Sequence, residues 1–462
     1  MGVLSSVLLP DSKGPDDFKS THTSPIGLFD IRSPQLKPLD GDGHFEKSAL
    51  QELGERSLKL DLGLRSGFLP SSPPVCRLDG PWARWEDALD AARGLHLGLG
   101  EADERTRRWR QMIREELPVV DIDSLEEHDV AQLRRAHLVL AFLMHFYVHS
   151  GKLLDESTPN QLEKIPKGIA VPLCAVSNLL DMPPVLTYAD TVLYNWRLVN
   201  PAEGFTPDNI VIHTTFTNTP SEEHFFKTSL LVEVLGPTCL SLMKLAIDEA
   251  IVADTLSVTR IASSLLVLTT LIDRLRDSTL IHALDIFLGV DHRPHPSGSQ
   301  TSSNPMKLQG VPSGEETFMA RMAVYMPSHH RRFLSELAAS LNEHSSKITT
   351  FPSLPDVATH SVRSLALASP ATSDLRSSYN DCVAALGRLR STHSKVVLLY
   401  IVSQSRHPPP EGSAFMDAWL EKQRLEAEKT RQPARAHLGT GGTDLAKFLK
   451  RCRERTTAAL ID

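Results

Sequence analysis

The sequence predicts a mostly α-helical protein with more than one domain. Apolar residues recur at helical spacing over several long stretches, whereas the alternating pattern typical of strands is scarce. The chain has 462 residues, which is more than a single hydrophobic core usually serves. Its apolar fraction of 41% is ordinary for a globular protein, so a packed core is expected.

Four stretches carry the helical pattern. We expect the second to form two helices joined near Asp254, and the third to be interrupted near Pro327, because proline ends or kinks a helix. The four stretches are 133–147, 230–276, 318–341 and 375–402. The best extended segment is 209–216, which favours a short strand.

Two segments lack this periodicity. Residues 1–57 are rich in Ser, Pro, Gly and Asp, and we interpret them as a loosely attached N-terminal extension. Residues 292–314 have a similar composition and predict a long loop or insertion. His292 and His295 lie in this second segment, where we interpret them as incidental histidines with no ligand role.

Charge and cysteine usage exclude several classes of protein. The net charge of −7 argues against a nucleic-acid partner, which would require a basic excess. The five cysteines are scattered without a CxxC pair, which argues against a zinc site or a disulfide framework and favours reduced thiols in the cytoplasm. We find no uninterrupted apolar run of roughly 18 residues and no secretory signal, so we expect no stable membrane association.

The most informative helix surrounds His393. The residues at helical spacing around it form an apolar stripe: Leu386, Leu389, His393, Val396, Val397 and Tyr400. A buried imidazole needs a partner for its nitrogens, and periodicity alone leaves open whether that partner is a side chain or a metal. A haem pocket requires an imidazole in this setting, since one neutral nitrogen binds the iron and apolar neighbours cover the porphyrin.

Two further features accompany this helix. Arg390 precedes His393 by three residues, where it could pair with a haem propionate or a buried carboxylate, or be a surface cation. The run 439–444 (GTGGTD) is a glycine- and threonine-rich loop without the Lys-Ser/Thr of a phosphate-binding loop. By itself it predicts a sharp bend that can approach a ligand closely.

Several segments together resemble the indoleamine 2,3-dioxygenase family. The resemblance runs from about residue 58 to the C-terminus, and its motifs are specific in combination. The segments are 67–70 (GFLP), 169–196 (IAVPLCAVSNLLDMPPVLTYADTVLYNW), 225–233 (FFKTSLLVE), 284–290 (LDIFLGV), 325–334 (YMPSHHRRFL), 389–397 (LRSTHSKVV) and 439–450 (GTGGTDLAKFLK).

The resemblance implies a fold and an activity. The implied fold is all-α, with a small helical domain, 58–217, packed over a larger helical haem-binding domain, 218–462. The implied reaction is cleavage of the indole ring of tryptophan or a related indole by O₂ at haem b, giving an N-formylkynurenine-type product. The implied partners are the small-molecule indole and O₂, and we expect a cytoplasmic monomer.

The resemblance also implies which residues form the site. His393 would be the iron ligand, and Arg390 would pair with Asp285 beneath the haem. The substrate side would be formed by Tyr188, Thr191 and Val192 from the small domain, by Phe225, Phe226 and Ser229, and by a closing loop with Thr440, Gly441, Gly442 and Thr443. Within this set Ser229, Thr440 and Thr443 are the catalytic candidates.

The chain departs from the family at one joint. After 261–277 the family has a long segment with an arginine that grips the substrate carboxylate, and then a Gly-Gly-Ser-Ala stretch at the distal haem edge. Here Asp277 is followed at once by Ser278, and no equivalent of either feature is found. Thr392 also stands where the family usually has an aromatic residue. Three hypotheses therefore remain: an active haem dioxygenase, a catalytically impaired haem binder, and a helical scaffold without haem.

Overall fold

A computed structural model describes most of the chain from residue 66 onward. The described residues are 66–95, 97, 103–122, 130–151, 164–275, 280–292, 322–343, 361–397, 420, 424 and 445–462. All of them fall in one compact unit, Phe45–Asp462. The predicted N-terminal extension 1–57 and nearly all of the predicted loop 292–314 lie outside the described residues.

The predicted all-α class is confirmed. Helices make up nearly all of the regular structure within these ranges, and their bounds are α1 Ala83–Gly94, α2 Glu104–Glu115, α3 Val130–His149, α4 Lys167–Leu180, α5 Pro220–Glu233, α6 Gly236–Val252, α7 Thr255–Ile272, α8 Leu280–Phe287, α9 Ser328–Glu343, α10 Val362–Ala368, α11 Asp374–Val397 and α12 Leu445–Thr457.

Smaller elements join α4 to α5. A π-helix, Ala189–Leu193, is followed by strands β1, Trp196–Leu198, and β2, Ile210–Ile212. The strands pair antiparallel, with Trp196 opposite Ile212. The strand predicted at 209–216 is therefore confirmed in its first half. Two 3₁₀ turns, Gly80–Trp82 and Pro201–Glu203, complete the described elements.

Local chemistry fixes the helix ends. Asp254 caps α7, because its carboxylate accepts from the Ser257 backbone N–H at 2.6 Å. The preceding Ala253 ends α6 in the left-handed region at φ 52°. The helix joint predicted near Asp254 is thereby confirmed. Helix α9 begins directly after Pro327, as the proline predicts.

Two clusters of buried apolar side chains hold these elements. We name the first, which draws on residues from Leu69 to Leu230, the N-terminal core. The second, formed by Phe68 and residues from Val232 to Ile461, is the C-terminal core. Helix α5 enters both, since Phe226 and Leu230 belong to the N-terminal core and Val232 to the C-terminal core. The predicted domain boundary at residue 217 stays a prediction.

One sequence expectation about apolar stretches was wrong. Pro220–Val252 and Thr255–Ile272 have mean hydropathies of 1.7 and 1.6, and both are long and apolar enough to cross a membrane by length and composition alone. The expectation counted uninterrupted apolar residues, whereas mean hydropathy tolerates the serines and threonines in these helices. About half of each stretch is buried in the protein, and core helices pass the same test.

Candidate functional site

Helix α11 carries Arg390 and His393 one turn apart. Arg390 is only 7% exposed. Its Nη2 donates to Asp285 Oδ2 at 2.5 Å, and its Nη1 donates to the hydroxyl of Thr456 on α12. The sequence left open whether Arg390 pairs with a carboxylate, and here it does. His393, one turn further along α11, is partly exposed.

Asp285 is the centre of the cluster. It is 3% exposed on α8, and besides Arg390 it accepts a hydrogen bond from His292 Nε2 at 2.9 Å. Burial would raise the pKa of the Asp285 carboxyl, but the charge of Arg390 and the bond from His292 outweigh it, and the pKa lies below its usual range. Asp285 is therefore ionised, and its charge is compensated.

One oxygen of this carboxylate is left over. Both donors bind Oδ2, while the buried Oδ1 has no hydrogen-bond partner among the described residues. Buried polar atoms are normally satisfied, so an acceptor of this kind marks a place where a further donor fits. We name the set Arg390, Asp285, His292 and Thr456 the proximal cluster.

Two neighbours of the proximal cluster are kept neutral. Burial raises the pKa of the Cys452 thiol to about 11, so this cysteine is protonated and unreactive. Burial lowers the pKa of His282, against the attraction of Asp285. The Asp285 and Arg390 side chains are thus the buried charges that determine the electrostatics here.

The π-helix packs against α5. The Tyr188 hydroxyl donates to Glu233 Oε1 at 3.0 Å, and Glu233 is fully buried. Asp190 anchors the turn, since its Oδ2 accepts from the Thr187 backbone N–H at 2.8 Å and from the Thr187 hydroxyl at 2.7 Å. The predicted wall residues Tyr188, Thr191 and Val192 lie on this turn, where Val192 is buried in the N-terminal core and Tyr188 packs against that core.

The buried His137 of α3 also holds this turn in place. His137 Nδ1 lies 2.7 Å from Asp190 Oδ1, and its Nε2 lies 3.1 Å from the Pro183 carbonyl oxygen. Both neighbours are acceptors, so the ring carries two N–H groups. Burial lowers the pKa of His137, but the Asp190 charge and both hydrogen bonds raise it above its ordinary value.

The α5 face presents the second set of predicted wall residues. Phe225 is 46% exposed and Phe226 is 7% exposed, with ring centroids 6.0 Å apart. The hydroxyl of the buried Ser229 donates to the Phe225 carbonyl oxygen at 3.1 Å, so its proton is held within the helix. The Thr191 hydroxyl is likewise bonded to backbone carbonyls of its own turn.

The structure thus brings together Arg390 with Asp285, and Tyr188 with α5. The predicted loop residues Thr440, Gly441, Gly442 and Thr443 lie outside the described residues. Sequence reasoning gave His292 no role as a ligand and did not predict its hydrogen bond to Asp285. Sequence reasoning also missed Thr456, Glu233 and His137, whose roles depend on contacts across the fold.

The pattern of the family described as indoleamine 2,3-dioxygenase matches residues 58–277 and 275–459. The chain belongs to the indoleamine 2,3-dioxygenase family. Among its relatives, indoleamine 2,3-dioxygenase 1 of Rattus norvegicus is 28% identical over 386 residues, covering 75% of this chain and 84% of the relative. Indoleamine 2,3-dioxygenase acdA of Aspergillus candidus is 27% identical, covering 85% and 95%. Indoleamine 2,3-dioxygenase of Saccharomyces cerevisiae is 24% identical, covering 85% and 91%.

The family match has an internal break. Its two pieces meet at residues 275–277, which is where the sequence lacks the family segment after Asp277. The indoleamine 2,3-dioxygenase pattern is otherwise continuous on both sides of the joint. The family membership supports a dioxygenase enzyme.

The residues of the proximal cluster fit the haem expected of an indoleamine 2,3-dioxygenase. Among the described residues, no three His, Cys, Asp or Glu side chains gather as a metal-ion site would require. A haem iron needs only one protein ligand on its proximal side, and His393 is a residue of the right type. The buried Asp285 Oδ1 leaves an acceptor in the proximal cluster for one further donor.

Proposed function

We propose that this protein is a haem-dependent dioxygenase that cleaves the indole ring of tryptophan or a related indole with O₂, giving an N-formylkynurenine-type product. The observation that supports it best is the buried Arg390–Asp285 pair, located one helical turn from His393 in a chain of the indoleamine 2,3-dioxygenase family. The helix that carries Arg390 also carries His393, a residue of the type that binds haem iron.

The proximal residues would hold the cofactor, haem b. His393 would bind its iron through one ring nitrogen, and Arg390 with Asp285 would fix the helix that carries this histidine. His292 adds a hydrogen bond to Asp285 and Thr456 adds one to Arg390, and the charges of Arg390 and Asp285 balance each other. When bound, the haem supplies the O₂ activation, which the side chains cannot provide.

The distal residues would hold the indole. Tyr188 would offer an aromatic face to the flat ring, and the buried Val192 and Phe226, 1% and 7% exposed, would form the apolar backing of this wall. The Ser229 hydroxyl donates to Phe225, so its oxygen keeps lone pairs that can accept an indole N–H. Thr191 and Phe225 would complete this wall, and the loop with Thr440, Gly441, Gly442 and Thr443 would close over the substrate.

Absorption spectra of the haemin-loaded protein test the cofactor. We expect a Soret band that shifts on reduction and again with CO, and that weakens strongly in His393→Ala. The matched control is His149→Ala, which removes an exposed histidine from α3 and should retain the parent spectrum. A spectrum that is the same in parent and His393→Ala would overturn the assignment of the iron ligand and favour a scaffold without a specific haem site.

A product assay tests the reaction. The reduced haem protein is supplied with O₂ and with tryptophan or other indoles, and the product is identified by mass. We expect two oxygen atoms from O₂ in an N-formylkynurenine-type product, and loss of turnover when Ser229 is changed to a bulkier valine. If no indole gives product while the haem spectrum is normal, the dioxygenase proposal fails.

A second function is favoured by the break in the family match. The missing segment at 275–277 includes the family's carboxylate-binding arginine, so a catalytically impaired haem-binding relative is the alternative. It predicts a His393-dependent haem spectrum without product. Tryptophan would then leave the spectrum of the reduced protein unchanged, whereas an active enzyme would show a shift.

We also propose a cytoplasmic monomer; the scattered cysteines support the cytoplasm, and the resemblance to the indoleamine 2,3-dioxygenase family suggests the monomer. The absence of a basic excess supports a small-molecule substrate and no nucleic acid. Light scattering on purified protein tests the monomer, and a mass of twice 51.0 kDa would contradict it.

A further inference from the structure

Tyr379 and Arg363 form a second polar contact in the C-terminal core, outside the residues assigned to the dioxygenase site. Tyr379 is fully buried on α11. Its hydroxyl donates to the Leu288 carbonyl oxygen at 2.7 Å and lies 3.3 Å from the Ala459 carbonyl oxygen. Arg363 Nη1, from α10, donates to the same hydroxyl at 2.7 Å and also to the Ala459 carbonyl oxygen. Burial raises the pKa of the Tyr379 hydroxyl, so the group stays protonated and can donate.

The two carbonyl groups belong to the segments that also supply Asp285 and Thr456 to the proximal cluster. Leu288 follows Asp285 by three residues at the end of α8, and Ala459 follows Thr456 by three residues at the end of α12. Backbone hydrogen bonds close both turns, from the Val290 N–H to the Asp285 carbonyl oxygen at 2.9 Å and from the Ala459 N–H to the Thr456 carbonyl oxygen at 3.0 Å. Each turn is therefore a short hydrogen-bonded unit, and what holds one end of it also places the other.

Helix α11 thus holds α8 and α12 at two levels. Arg390 follows Tyr379 by 11 residues, which is about three helical turns, so the two side chains point in nearly the same direction. Arg390 binds the side chains of the two segments, whereas Tyr379 binds their backbone. The chain also makes room for Arg363, because a Cβ on Gly289, at φ 64°, would lie 2.9 Å from Arg363 Cδ.

We propose that Tyr379 and Arg363 are positioning residues of the haem site, because they fix the Asp285 charge against Arg390 on the helix that carries His393. This inference rests on the proposed function, since it takes His393 as the iron ligand. Charges and hydrogen bonds around a haem ligand tune the iron, and its reduction potential responds to where they lie. A shift of α8 or α12 along α11 would therefore be measurable at the iron.

Spectroscopy of the haemin-loaded protein tests the positioning role. Tyr379→Phe keeps the ring and removes only the hydroxyl, and we expect it to shift both the reduction potential and the iron–histidine stretching band of the reduced protein. The matched control is Tyr147→Phe, which removes the hydroxyl of an equally buried tyrosine in the N-terminal core, bonded to Arg114. The control should leave potential and band unchanged, because a general loss of stability moves neither.

Two substitutions of Arg363 separate the hydrogen bond from the bulk of the side chain. Arg363→Met keeps an unbranched apolar side chain but donates nothing, so it should shift the potential in the same direction as Tyr379→Phe. Arg363→Lys retains a charged donor for the Tyr379 hydroxyl and should restore part of the parent value.

A double-mutant cycle in the haem-free protein tests the coupling itself. Tyr379→Phe and Thr456→Val are made singly and together, and their urea midpoints are compared. We expect the combined loss to differ from the sum of the single losses, because both changes act on the attachment of α12 to α11. Tyr147→Phe combined with Thr456→Val should be additive, since these residues lie in different cores.

The possible failures are distinguishable. If His393→Ala loses the haem spectrum while Tyr379→Phe and Arg363→Met keep the potential and the band of the parent, the haem site stands and the positioning role is overturned. Additive losses in the cycle of Tyr379 with Thr456 would also overturn it. If His393→Ala keeps the spectrum of the parent, the proposed function fails, and the inference about the haem site fails with it.

Discussion

Asp285 and Arg390 form the buried ion pair on which the candidate site depends. Their side chains are 4% and 8% exposed, so neither charge has access to water as a replacement partner. Removing one member of a buried pair leaves the other uncompensated, and this is far more costly than losing a surface pair. The residue-scale predictions therefore begin here.

Asp285→Asn should lower the free energy of unfolding by roughly 3–5 kcal/mol, because it leaves the Arg390 charge buried without its counter-ion. The matched control is Asp273→Asn, which breaks the exposed pair with Arg388 and should cost about 0–1 kcal/mol. Urea unfolding of both variants measures the difference. If both variants lost the same free energy of unfolding, the buried pair would stabilise the protein no more than the exposed pair does.

His213 predicts a loss of stability in acid. Burial and the charge of Arg135 lower its pKa to about 4, below the value of 6.5 in the unfolded chain. The unfolded state then binds the proton more readily, so stability is lost as the pH falls from 6.5 towards 4. In His213→Gln, which keeps a donor for the Trp196 carbonyl, urea unfolding at stepped pH should show a shallower decline over this window.

His137 predicts the opposite sign. Its pKa is raised above 6.5 by Asp190, so its contribution is fully present below pH 6.5 and is lost as the pH rises through the folded-state pKa. The stability difference between the parent and His137→Gln should therefore be largest in mild acid and shrink in alkali. Urea titrations at pH 6 and at pH 9 measure it, and a pH-independent difference would show that the ring is neutral.

The sequence could predict only part of this residue-level picture. Helical periodicity placed His393 and Arg390 one turn apart on α11, and the family resemblance paired Arg390 with Asp285. The donor His292 was missed, because a histidine in a proline-rich segment gives no local sign of the carboxylate it contacts. Thr456 lies 66 residues from Arg390, and no spacing rule connects them.

At the scale of elements, two helical glycines differ in whether the structure has room for a Cβ atom at their positions. A Cβ on Gly168 in α4 would lie 2.3 Å from the Leu117 carbonyl oxygen, whereas a Cβ on Gly387 in α11 would meet nothing within 4 Å. Gly168→Ala should therefore destabilise the protein, since backbone must move. Gly387→Ala should stabilise it by about 0.5–1 kcal/mol, the helix preference of alanine.

Thermal unfolding of the two alanine variants measures this contrast, because the chemical change is identical and only the surroundings differ. A rise in midpoint for Gly168→Ala would mean that α4 is not packed against Leu117 in solution.

Long regular elements were predictable, and irregular ones were not. Helices α3, α6, α7, α9 and α11 follow from apolar periodicity, and the joint at Asp254 from its capping chemistry. The π-helix Ala189–Leu193 has no such signature, because its apolar and polar residues would suit an α-helix equally well. Its shape depends on Asp190 and His137, which meet only in the folded chain.

At the scale of the whole molecule, α5 couples the two cores. Phe226 and Leu230 are buried in the N-terminal core, and Val232, on the same helix, is buried in the C-terminal core. A helix cannot leave one core without disturbing the other, so we expect the two cores to unfold together.

Tryptophan fluorescence offers a direct measurement of that coupling. Trp85, Trp109 and Trp196 belong to the N-terminal core, and Trp82 packs against it. Helical circular dichroism reports on both cores. In a Trp419→Phe background, which removes the one tryptophan outside the described residues, the fluorescence and dichroism transitions in urea should coincide.

Separate midpoints would show two independent folding units. Val232→Ala is the complementary test, because it lies in the C-terminal core and yet should shift the fluorescence midpoint of the N-terminal core. The sequence predicted two domains from length alone, but it could not predict that one helix is shared, since this depends on which side of α5 each neighbour covers.

The π-helix at Ala189–Leu193 also makes this segment intolerant of the loss of a single residue during evolution. Its wide turn, closed by the bond from the Tyr194 N–H to the Ala189 carbonyl oxygen at 2.9 Å, holds one residue more than an α-helical turn. A one-codon deletion here would leave a regular helix but rotate the following side chains by about 100°. A relative could therefore keep all the other residues around Tyr188 and lose only this one. The side chains that follow the deletion would then point in a different direction.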